Sequence, residues 1–205
     1  INNKEIKNIV KISPKNSYIQ CCYHQRFRPI SIKIKDLIKK NVLGDIYYIN
    51  IIHRKFRSIP KHSEVFSKKK FSGGGPLIDL GSHYFDLVGW FLNFPKYNNL
   101  NCSNFNNISK KEKGFIPFKS FDNEELSVGS FKFSNNIHVN FELSYVLNTS
   151  SEKVEIEIFG TNGSVTWPQE KYVIIKNKKV YKKKILLDKS MASDNQINNF
   201  LINMN

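Results

Sequence analysis

The chain has 205 residues, 40% of them hydrophobic and 13% aromatic, and a formal net charge of +15. That length and apolar content support a real core and exclude a disordered polymer. No apolar run approaches membrane-spanning length, and the opening Ile1-Asn2-Asn3-Lys4-Glu5 has no signal-peptide layout, so no membrane partner is expected. The missing initiator methionine points to a piece of a longer protein.

The charge would ordinarily raise nucleic acid as a partner. Yet only Arg26, Arg28, Arg54 and Arg57 are arginines, and the rest is lysine in company with much Asn and Ile, as an AT-rich reading frame writes. Phosphate-reading surfaces favour the bidentate guanidinium, so a solvated basic face with no nucleic-acid partner is the expectation. Cys21 and Cys22 are adjacent in an apolar run, Cys102 stands apart, and none has metal-ligand spacing. Buried, reduced thiols in a cytoplasmic protein follow.

Residues 3 to 12 carry Ile6, Ile9 and Val10 at helical spacing, and Ser13-Pro14 ends them. Tyr18 to Tyr23 then reads as a short strand. Pro29 opens a second helix with Ile30, Ile34, Leu37 and Ile38 on one face, closed by glycine at Leu43-Gly44-Asp45. Ile46 to Phe56 reads as a strand, followed by a loop from Arg57 to Ser72.

A triple-glycine turn, Gly73-Gly74-Gly75, then runs into Pro76, which suits a first helical turn. The helix behind it is apolar almost all round and should be buried. Beyond it, a strand is expected near 99–106, with a flexible loop after it. Leu126 to Phe133 pairs with the alternating stretch Ile137 to Leu147. Strands at Val154 to Ile158 and Val165 to Trp167 turn at Thr161-Asn162-Gly163, and Tyr172 to Ile175 forms a hairpin with Val180 to Leu187. A closing helix after Ser193 carries Ile197, Phe200 and Leu201. The sum is an α+β domain, a large and mostly antiparallel open sheet with helices on one side.

On the apolar helix, Asp79, His83 and Asp86 fall at i, i+4 and i+7, one stripe on one face. Ionisable groups on a buried helix need partners or a task. Asp79 can reach His83, orient the imidazole and make it a general base near neutral pH. A plainer reading is also open: Asp79 in the first turn suits the helix dipole, and His83 is a satisfied core histidine. A metal reading of the three lacks a second cluster of ligands, so no metal is assigned.

The segment Gly73 to Asp86, GGGPLIDLGSHYFD, closely resembles the GGGxLxDxGxHxxD signature of the Gfo/Idh/MocA family of oxidoreductases, the relatives of glucose–fructose oxidoreductase and inositol dehydrogenase. Collinear stretches resemble the family too: His24-Gln25-Arg26-Phe27-Arg28-Pro29, Leu43-Gly44-Asp45-Ile46, Asn123-Glu124-Glu125, Ser144 to Asn148 and Phe159 to Gly163. The resemblance implies a C-terminal domain over 28–205, preceded by a Rossmann remnant over 1–27 that holds its last helix and strand. It implies an NAD- or NADP-dependent oxidation of a sugar, sugar derivative or inositol, with the nicotinamide cofactor bound mainly by an N-terminal domain that the chain lacks. It implies His83 and Asp79 as catalytic residues, Arg26, Arg57 and Asp86 near the substrate, His24 toward the cofactor, and a homo-oligomer formed through the open sheet. The family's Glu-Lys-Pro motif and any Gly-x-Gly-x-x-Gly fingerprint are missing, so the chain alone is expected to be inactive. A non-catalytic binding or oligomerisation module of the same fold is the alternative.

Overall fold

A computed structural model describes residues 3–112, 114–116 and 120–187, together with 198 and 202. Ile197, Phe200 and Leu201 of the expected closing helix lie outside the described residues.

Helix α1, Asn3–Ile12, forms as its periodicity requires, but Ile6, Ile9, Val10 and Ile12 are all exposed. The strand expected at Tyr18 to Tyr23 does not exist, because no described segment offers its backbone a ladder. Cys21 and Cys22, expected inside, are consequently exposed. A single 3₁₀ turn, His24–Phe27, leads into α2, Pro29–Lys39, with proline in its first turn. Asn41, rather than Gly44, ends that helix. It takes a left-handed φ of 52°, its N–H reaches the Ile38 carbonyl at 3.0 Å, and the Val42 N–H reaches that of Leu37 at 3.1 Å. These two bonds make a Schellman cap, a role asparagine can fill.

The strands are β1 Ile46–Arg54, β2 Tyr97–Phe105, β3 Leu126–Phe133, β4 His138–Ser144, β5 Lys153–Gly160, β6 Gly163–Trp167, β7 Lys171–Lys176 and β8 Lys179–Lys184. They form one sheet of eight strands in the order β2-β3-β4-β1-β5-β6-β7-β8. All pairings are antiparallel except β1 with β4, where Ile51 stands opposite Phe141. Two short helices, α3 Lys69–Ser72 and α5 Ile108–Lys111, flank the long α4, Pro76–Phe91.

Alternation sorts the sheet's faces. Ile49 and Ile51 of β1, Val139, Phe141 and Leu143 of β4, and Ile156 and Ile158 of β5 share a core with Ile30 and Ile34 of α2 and Leu87, Val88 and Phe91 of α4. Trp167 fixes α2 on the sheet through a 3.0 Å bond from Nε1 to Ser31 Oγ, both side chains buried. The opposite face is polar and internally paired. The Arg54 guanidinium grips both oxygens of Glu142 at 2.6 and 2.7 Å, and Asn50 donates to Glu157 at 2.9 Å. The mixed-sheet α+β architecture is the one the sequence implies.

Candidate active site

The site is set by how α4 begins. Gly73 ends α3 with a left-handed φ of 81°, which favours glycine. The Gly75 N–H donates to Glu124 Oε1 at 2.8 Å, and a Cβ on Gly75 would lie 2.1 Å from the Glu124 carbonyl oxygen. The triple glycine is therefore a packed joint between α3, α4 and the Glu124 segment. With its Gly75 N–H already used, it is no cradle for phosphate.

Beyond the joint, α4 is not buried all round as expected. Ile78 is 50% exposed and Ser82 is exposed, while Tyr84, Leu87 and Val88 are enclosed. Asp79 and His83 sit half-buried at the border between these faces. The Asp79 carboxylate does not reach the imidazole. Its Oδ2 accepts a 2.6 Å hydrogen bond from the phenol of Tyr145, just past the end of β4. Tyr145 is 2% exposed, and burial followed by its bond to Asp79 raises its pKa above the usual phenol range. His83 Nδ1 is buried and has no hydrogen-bond partner among the described residues. The expected carboxylate–imidazole contact is thus absent, because a closer, neutral donor takes the carboxylate.

The 3₁₀ turn brings His24 to the same place. Its ring lies edge-on to His83 with centroids 5.5 Å apart, and Tyr23 approaches His83 at 6.3 Å. Partial burial, then the neighbouring His83 and Arg28, lower the pKa of His24. Two imidazoles and one carboxylate therefore gather at the first turns of α4.

The remaining candidates are brought to partners within the chain. Arg26 and Asp86 meet each other in a bidentate ion pair, with Nε 2.7 Å from Oδ2 and Nη2 on Oδ1. Arg57 lies elsewhere. Its Nη1 binds the Phe56 and Leu147 carbonyls, its Nη2 binds Glu112 and Asn148 at 3.0 and 2.9 Å, and its plane rests on Phe56 and Phe115. That arrangement ties the exits of β1 and β4 together; substrate contact at Arg57 would compete with four such bonds.

Three participants were not singled out from the sequence. His53 Nδ1 lies 2.7 Å from the Tyr84 hydroxyl; burial holds His53 down to about 4 and pushes Tyr84 up to about 12. Tyr145 is the third. It fell on the apolar face of the β4 alternation, and a phenol on a buried face needs a partner for its hydroxyl, which is the signal that could have found it. Glu125 is 2% exposed and accepts from the backbone N–H groups of Asn107, Ile108 and Ser109 at 2.6–2.7 Å, so its role is to seal α5. Among the described residues, no three His, Cys, Asp or Glu side chains gather as a metal site requires. A cavity of about 550 Å³ at the far end of α4, walled by Phe85, Phe94, Tyr97 and Phe131, holds none of the candidates.

Residues 31–166 match the family model described as the GFO/IDH/MocA C-terminal domain. The chain belongs to the GFO/IDH/MocA family. It is 29% identical over 137 residues to the D-glucoside 3-dehydrogenase of Escherichia coli K12, covering 64% of this chain and 38% of that protein. It spans less than half the length of the curated relatives it matches. Among solved structures, levoglucosan dehydrogenase in complex with NADH and levoglucosan superposes with a TM-score of 0.71 at 15% identity, covering 96% of this chain and 58% of that one. The transcriptional regulator Gal80p of Kluyveromyces lactis superposes with a TM-score of 0.74 at 16% identity, covering 98% and 54%. At such identities these likenesses establish the fold. No described helix is long and apolar enough to cross a membrane.

Proposed function

We propose that the chain is the C-terminal part of an NAD(P)-dependent oxidoreductase acting on a hydroxyl of a sugar, a sugar derivative or an inositol. In this reading residues 28–205 form the substrate-side domain and residues 1–27 the end of the dinucleotide-binding one, and the polar uncovered sheet face serves self-association. The observation that carries it is His83, a half-buried imidazole on α4 whose Nδ1 has no partner among the described residues. With Nδ1 enclosed and tied to nothing among the described residues, the ring's other nitrogen is the one a ligand hydroxyl would meet.

The described residues fit the proton half of such a reaction. Bound nicotinamide would supply the hydride acceptor, and His24, which lies edge-on to His83, would be this chain's residue on the cofactor side. His83 receives the hydroxyl proton as the adjacent carbon gives up its hydrogen with both electrons. Asp79, one helical turn away, supplies negative charge opposite the imidazolium so formed. Arg26 and Asp86, occupied with each other, shape the floor beneath Tyr23 and leave substrate recognition to groups around His24 and His83.

The test uses the full-length protein, screened for NAD⁺ and NADP⁺ reduction against sugars, sugar nucleotides and inositols. His83→Ala is expected to lower kcat/KM by about 10²–10⁴-fold, the range for loss of a general base, with cofactor affinity retained. Unchanged turnover in that variant would remove the proposal. The non-catalytic module becomes the better reading only if no substrate in the panel reduces either nucleotide.

A further inference from the structure

Among the described residues, Asp79 makes a single side-chain hydrogen bond, and it is to a residue 66 positions away. At 2.6 Å, a phenol donating to a carboxylate is among the shorter and stronger contacts of its kind. The donor cannot wander. The Tyr145 N–H donates to the Glu125 carbonyl at 2.9 Å, and the Tyr145 carbonyl accepts from the Ser58 N–H at 2.7 Å and from Ser58 Oγ at 3.2 Å. Its ring is enclosed by Ile59, Phe121 and Val146, the second core of the domain. Moving the phenol would mean opening that core.

We propose that Tyr145 is the positioning residue of the site: its buried phenol fixes the direction of the Asp79 carboxylate and holds it as a charge toward His83. This rests on the reading of His83 and Asp79 as catalytic residues. Two other groups bear on the carboxylate electrostatically, Tyr84 from α4 and His53 from β1, while Glu124 bears on the phenol itself. Among the described residues, only Tyr145 is hydrogen-bonded to the carboxylate. Because burial and Asp79 both disfavour the phenolate, Tyr145 donates at any working pH. It takes one carboxylate oxygen, Oδ2, and leaves Oδ1 without a bond among the described residues. Asp86 differs, with both oxygens on Arg26.

The experiment is a double-mutant cycle in the full-length protein. Tyr145→Phe is expected to lower kcat/KM about tenfold, with the loss in kcat rather than KM and cofactor affinity unchanged, since it frees the Asp79 carboxylate to turn. In the Asp79→Asn background the same change is expected to cost less than about twofold. An equal loss in both backgrounds, or no loss in the first, overturns the proposal. A second readout needs no turnover: the Cζ resonance of ¹³C-labelled Tyr145 should shift in Asp79→Asn and stay in place in His83→Ala. A resonance indifferent to Asp79→Asn overturns the link even where Tyr145→Phe fails to fold. If His83→Ala and Asp79→Asn both leave turnover intact, the dehydrogenase reading falls by itself, and the resonance still decides whether Tyr145 and Asp79 are joined.

Discussion

The two ends of the acidic stripe on α4 are chemically unlike. Asp86 is saturated, gripped by the fork of Arg26 between the rings of Tyr23 and Phe94. Asp79, two turns earlier, is held by one neutral donor and, among the described residues, keeps an oxygen unbound. A carboxylate answered by a guanidinium is neutralised in place; one answered by a phenol keeps its charge available. Identical spacing on one helix face thus yields one structural acid and one poised acid, and the difference comes from strands and loops that the helix itself does not encode.

The comparison can be broken most sharply by exchanging amide for acid at each end. Asp79→Asn should lower kcat/KM of the full-length protein by about a hundredfold or more while leaving stability nearly unchanged. If Asp86→Asn costs as much activity at equal stability, the distinction between the ends is lost. Glu125 is the extreme of the saturated type. Glu125→Ala leaves the three backbone donors that open α5, one of them buried, without their acceptor and should cost about 2 kcal/mol in urea unfolding; a loss under about 0.5 kcal/mol would show that α5 rearranges instead. Asp86→Ala should cost about 2 kcal/mol, reduced from the buried-pair figure because Arg26 keeps 27% of its side chain in solvent.

The smallest effect concerns the histidines. Burial holds His53 to about 4 against an ordinary 6.5. As pH falls through 6.5 the unfolded chain takes up that proton, and the folded protein refuses it until about 4, so stability drops across this window. About 2 kcal/mol is expected, allowing for partial exposure, and thermal unfolding of His53→Gln between pH 4.5 and 7 should show a slope flatter by that amount.

Much of this architecture is legible in the residues because burial imposes a period. The β4 stretch alternates cleanly, since one face meets α4 and the other does not, and Leu126 to Phe133 is a strand end to end. Helix α4 announced itself through Pro76 and its apolar run. What could not be read was set by distant partners. Asp79 and His83 have the spacing of a contact, yet Tyr145 offers a better one from across the fold. Asn41 caps α2 because the chain turns there, three residues before the glycine that the pattern favoured. Tyr18 to Tyr23 has strand composition but no neighbour to make it a strand.

The place of β1 has a consequence for how the chain reaches its native state. β2, β3 and β4 can assemble with sequence neighbours, and so can β5 through β8; β1 alone joins the two sets, and it lies ahead of both in the sequence. Until it slots between β4 and β5, two separate meanders each present a bare edge, one from residues 138–144 and one from residues 153–160. Such edges recruit whatever strand is at hand. Refolding should therefore be limited by this late insertion across a long loop, and its chief hazard is two molecules trading their first strands before either closes its own sheet.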